Sequence, residues 1–209
     1  MALRTLPLVK PEPPVRRGIL IEVVGPPGAG KTRTVQEICT GMPRNLRTQA
    51  ISNDACRETI SLLRGFPWIE SQVAPGHPAR RMLFGAALHL LNEAADILLG
   101  ENDVVVVGRH VGFYLAMELA GGRAGDLEWA CRDIREPDLT LFLDRPSLAS
   151  NPQMAAETQR LCKRAGRELN QLVCRNWVRL DADGRTDEDV ANECVRQIVG
   201  ALQSRALKG

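Results

Sequence analysis

Gly25, Gly30, Lys31 and Thr32 stand in the order G-x-x-x-x-G-K-[ST], within GPPGAGKT at 25–32. For a chain of 209 residues with 18 glycines, about 0.002 chance matches are expected. Glycines allow a backbone to wrap an anion with its N–H groups turned inward. A helix starting at the end of the loop adds partial positive charge. Gly25, Pro26, Pro27, Gly28, Ala29, Gly30, Lys31 and Thr32 are therefore expected to cradle the phosphates of a nucleotide. In that reading Lys31 carries a full positive charge to the β and γ phosphates, and the Thr32 hydroxyl is a ligand for Mg²⁺. The competing reading is a plain Gly/Pro turn between a strand and a helix.

A phosphate cradle needs a strand leading in and a helix leading out. ILIEVV at Ile19–Val24 is short, apolar and β-branched, as a buried strand should be. A helix is expected from the loop to about Thr40, stopped by Gly41 and Pro43. Further strands are expected at 47–52, 103–107, 138–143 and 177–180. Helices are expected from Asp54 to Leu63, over 79–99 with Gly100 closing it, over 112–120 and 126–135, and over 153–174. Thr186 opens the last helix, with Asp189 as its capping-box partner. Strands alternating with helices demand crossovers, hence an α/β fold with a five-stranded parallel sheet flanked by helices on both faces.

Composition narrows the classes. Lysine and arginine number 27 against 25 acidic residues, a formal charge of +2. That balance argues against a dedicated partner of nucleic acid or of a membrane surface. No apolar run has the length of a membrane span. The first residues lack the features of a secretory signal; Pro7, Pro11, Pro13 and Pro14 mark 1–17 as a disordered tail before a single domain at 18–209. The cysteines Cys39, Cys56, Cys131, Cys162, Cys174 and Cys194 form no CxxC pair, so reduced thiols and a cytoplasmic location are expected. The histidines His77, His89 and His110 suggest no triad, and His89 reads as a core residue.

Four segments resemble the thymidylate kinase family of nucleoside monophosphate kinases, in register over most of 19–200. They are GPPGAGKT, the stretch from RRMLFGAALHLLNEAADILL through DVVVVGRH to AMELAGG at 80–122, PDLTLFLDRP at 137–146, and NWVRLDADGRTDEDVANECVRQI at 176–198. The resemblance implies a P-loop kinase-type fold and phosphorylation of a nucleoside monophosphate, dTMP or a related nucleotide, with ATP and Mg²⁺. It places Arg109 on the acceptor's 5′-phosphate and Phe84 against its base, with Arg80 on the same substrate side. The Mg²⁺ shell calls for a carboxylate, for which Asp144 and Asp54 are candidates; Asp144 could equally cap a helix or pair with Arg145. A second catalytic arginine would come from Arg160, Arg164 and Arg167, which share helical spacing, or from Arg80 and Arg81. Pairing of two copies through substrate-side helices is also implied.

The sequence departs from the family at several points. Gly108 stands where the family has an aspartate before the gripping arginine, and Leu88 where it has a base-reading arginine. The segment nearest its R-E-P-G-G element is SNDACRE at 52–58, and the lid after Asp144 is short. These departures keep two alternatives open: a diverged kinase of another small molecule, and a nucleotide-binding regulatory protein with little turnover.

Overall fold

The computed structural model describes residues 18–25, 29–51, 78–108, 133–145 and 176–206, with the backbone alone for 78–84. Its elements in chain order are β1 (Ile19–Val24), α1 (Lys31–Gly41), β2 (Thr48–Ile51), α2 (Pro78–Glu101), β3 (Val104–Gly108), β4 (Leu139–Asp144), β5 (Trp177–Asp181) and α3 (Asp187–Ala206). The strands form one sheet in the order β2-β3-β1-β4-β5, every pair parallel.

β1 lies at the centre, and all six of its residues are buried. Ile21 stands beside Val106 of β3 on one flank and Leu139 of β4 on the other. A strand covered on both faces needs a largely apolar run, and VVVVG and, apart from Glu22, ILIEVV supply it. Alternation then divides the side chains between two layers. Ile19, Ile21, Val23, Val104, Val106, Leu139, Leu141, Leu143 and Leu180 pack with Val35 and Ile38 of α1 and Val190, Cys194 and Ile198 of α3. Leu20, Val105, Val107 and Ile51 pack with Leu91, Ala95 and Leu99 of α2 on the other face. Each such side chain contributes about 1.5–3 kcal/mol by leaving water.

All five expected strands are present, with ends within a residue or two of expectation. Two helix boundaries need correction. The long helix starts at Pro78 and runs through Gly100 to Glu101. Its last carbonyls are taken by one local and one tertiary partner: Leu98 O accepts from the backbone N–H and Nδ2 of Asn102, and Leu99 O from the N–H of the distant Gly18. No glycine cap is then required at Gly100. The expected helix over 126–135 does not extend to 133–135, which are not helical. There the Arg135 N–H donates to Asn92 Oδ1 and its guanidinium to Asp96 and Asp138, tertiary bonds that replace helical ones. The tail at 1–17 and the helices expected at 54–63, 112–120 and 153–174 lie outside the described residues.

Candidate functional site

The site is built where β1 ends and α1 begins. Gly25 leaves the strand so close to β4 that a Cβ there would lie 2.8 Å from the carbonyl oxygen of Leu143. Only a glycine permits that approach. Gly30, the residue before α1, has φ +85°, in the left-handed region that favours glycine. Its carbonyl accepts from the Thr34 N–H at 2.9 Å, which closes the first helical turn. That turn contains Lys31, Thr32 and Arg33 and no acidic residue, so the positive end of the helix dipole is reinforced by side chains.

Lys31 is 4% exposed. Its Nζ donates to Gly25 O at 2.9 Å, spanning the loop from its last turn to its first residue. The ammonium therefore sits at Gly25, where the loop leaves the strand. Thr32 is exposed on the same turn.

Asp144, the last residue of β4, stands in register with Asp181 of β5. Its carboxylate accepts from Arg179 Nε at 2.9 Å and from Arg179 Nη2. With Arg179, Asp181 and Asp183 it lines an open cleft of about 410 Å³ at the carboxyl ends of β4 and β5. The expected pairing of Asp144 with Arg145 does not occur. Consecutive residues leave a strand on opposite sides, so Asp144 shares the α2 face with Thr140 and Phe142, and Arg145 goes to the α1–α3 face. There Arg145 pairs with Asp187 at 2.7 Å.

Three other sequence expectations meet described residues. Gly108 ends β3 in register with Val23 and offers only backbone at the position where a carboxylate was sought. Leu88 is 2% exposed and belongs to the core. His89 is exposed, contrary to its reading as a core residue, because Leu88, Leu91 and Asn92 occupy the buried stripe of α2. Pro26, Pro27, Gly28, Asp54, Arg109, Arg160, Arg164 and Arg167 lie outside the described residues, as do the side chains of Arg80, Arg81 and Phe84.

Two charged residues of this region were given no part in the sequence reading. Glu22, within β1, is fully buried and has Val107 and Thr140 beside it in register; the signal was one carboxylate inside an otherwise apolar strand. Asp187 joins Arg145 and Arg33, the latter at 3.2 Å. The resolved titration shifts lie away from the loop. Burial raises the thiol pKa of Cys39, and pushes that of Cys194 up to about 12.

A central strand, a glycine-lysine turn at its carboxyl end and a helix pointing its amino end into the crevice define a P-loop kinase-type α/β fold. Comparison with solved structures narrows the likeness. Thymidylate kinase from Candida albicans matches over 88% of this chain and 92% of its own, with a TM-score of 0.69 and 18% identity. The chain has a thymidylate kinase-like fold. No protein-family model matches the sequence, and no curated protein matches it.

Proposed function

We propose that this chain is a Mg²⁺- and ATP-dependent phosphotransferase whose acceptor is a nucleoside monophosphate, dTMP or a related nucleotide. The observation that carries this reading is Lys31, buried at the amino end of α1 with its ammonium on Gly25 O, at the mouth of the central strand. A cation so placed can move a short distance from the carbonyl to a bound phosphate, where glycine amides and the helix dipole act with it.

Phosphoryl transfer demands positioning and neutralisation of charge more than covalent chemistry. Lys31 and the first turn of α1 would hold the donor's phosphates. The residues for Mg²⁺ are Thr32 and Asp144: a hydroxyl and a carboxylate suit a hard cation that keeps several waters. Both stand on segments that meet at the loop, since Gly25 packs directly on Leu143, the neighbour of Asp144. When bound, the metal would supply positive charge to the donor phosphates. Arg109 would hold the acceptor phosphate in line, with Phe84 and Arg80 on the acceptor side, and Arg160 or Arg164 would offset charge in the transition state. A cytoplasmic location and a homodimer belong to the same proposal. Leu90 and Ile97, exposed on α2, are the residues we assign to the contact between copies. Among the described residues no helix is long and apolar enough to cross a membrane.

Gly108 favours one second reading, a nucleotide-binding protein with little turnover, because it puts no carboxylate at the end of β3. The test is incubation with Mg²⁺-ATP and a panel of nucleoside monophosphates, following ADP. Formation of ADP dependent on one or a few monophosphates is expected. ATP binding without turnover on any of them would replace the first reading with the second.

A further inference from the structure

Arg145 follows the last residue of β4, and its side chain is only 8% exposed. Every nitrogen of its guanidinium is engaged. Nε donates to Ala182 O at 2.8 Å, Nη2 to Arg185 O at 3.0 Å, and Nη1 to Asp187 Oδ1 at 2.7 Å. Ala182 and Arg185 belong to the turn between β5 and α3, and Asp187 opens α3. The same guanidinium stands behind the phosphate loop. A Cβ on Gly30 would lie 3.4 Å from Arg145 Nη1 and 3.6 Å from Asp187 Oδ1. The second oxygen of Asp187 meets Arg33 of α1 at 3.2 Å. One buried cation thus ties the end of β4, the β5–α3 turn and the start of α1 into a single block.

Burying a guanidinium costs desolvation that its ion pair only partly offsets. What the planar fork supplies is geometry, because its donors fix several acceptors at once. We propose that Arg145 is a positioning residue for the nucleotide: by fixing the β5–α3 turn and, through Asp187, the start of α1 against the end of β4, it holds Gly30 and Lys31 in the arrangement that receives the phosphates. This inference rests on the nucleotide-kinase reading above.

The molecule contains its own control. Arg135 is buried to a similar degree, with 6% of its side chain exposed, and is tied to Asp96 and Asp138. It lies at the amino ends of the strands, remote from the loop. Removing either arginine should lower the melting temperature, by roughly 6–20 °C. Only the loss of Arg145 should change nucleotide affinity.

The experiment compares wild type, Arg145→Met, Arg145→Lys and Arg135→Met in calorimetric titration with Mg²⁺-ATP, at a temperature where circular dichroism shows each to be folded. Arg145→Met is expected to weaken binding by about tenfold or more, within the range of coupling between adjoining sites. Arg135→Met is expected to bind as wild type does. Arg145→Lys keeps the charge and the stem but offers one compact head for three acceptors. It should fold and still bind more weakly, and it decides the matter if Arg145→Met does not fold. Wild-type affinity in the folded Arg145 variants overturns the proposal. So does an equal loss in Arg135→Met, which would mark the effect as general destabilisation. A wild-type protein that binds no ATP overturns the kinase reading itself, before any variant is compared.

Discussion

At the scale of single residues, the chemistry turns on how burial and neighbours prepare a few groups. Lys31 is enclosed with its Nζ donating a hydrogen bond to Gly25 O, and the helix start beside it favours an anion. Asp144 and Arg145 are adjacent in sequence and opposite in role, since the strand sends one to Arg179 and the other to Asp187. Cys194 gives a residue-scale prediction. Its thiol keeps its proton to about 12, against 9.0 for an ordinary thiol, chiefly because burial disfavours the thiolate. Below pH 9 this group contributes the same stability throughout. Above it the unfolded chain loses the proton first, so native stability falls as pH rises toward 12. Accordingly Cys194 should resist iodoacetamide at pH 8.5 in the native protein and react in urea, as read by mass spectrometry of its peptide. Equal labelling in both states would contradict the assignment.

At the scale of elements, the sequence revealed strands more fully than helix ends. β1, β3 and β4 are short apolar runs that can be buried on both faces, and that pattern is local to each run. The end of α2 was hidden because Gly18 and Asn102 capture its last carbonyls, and Gly18 is remote in the chain. The start of α3 was legible because its cap is local: the Thr186 hydroxyl donates to Asp189 Oδ2 at 2.7 Å and accepts from the Asp189 N–H at 3.1 Å. Thr186→Ala should therefore cost about 1 kcal/mol, a fall of roughly 2–4 °C in melting temperature. An unchanged melting temperature in a thermal unfolding scan would show that the box contributes nothing.

At the scale of the whole molecule, the order β2-β3-β1-β4-β5 sets the site. From β1 the chain runs through α1 to β2, on the β3 side of the sheet, whereas from its neighbour β4 it continues outward to β5, and ligands of open parallel sheets bind where such connections part, at the carboxyl ends of the strands. The phosphate loop stands at that point, which is why its motif in the sequence located the candidate site at once. The brace behind it was not legible, because Arg145, Asp187 and Gly30 come together only when β4, α3 and α1 pack. Glu22 shows the same limit: its place in β1 was plain, but burial of its carboxylate beside Thr140 depends on the register of three strands. The central claim is that this loop, with Lys31, holds the phosphates of ATP. Titration of Mg²⁺-ATP into wild type and Lys31→Ala tests it most directly. Saturable binding by the wild type, weakened at least about tenfold in a folded Lys31→Ala protein, is the predicted result. Equal affinity in the two proteins, or no binding by the wild type, would contradict it.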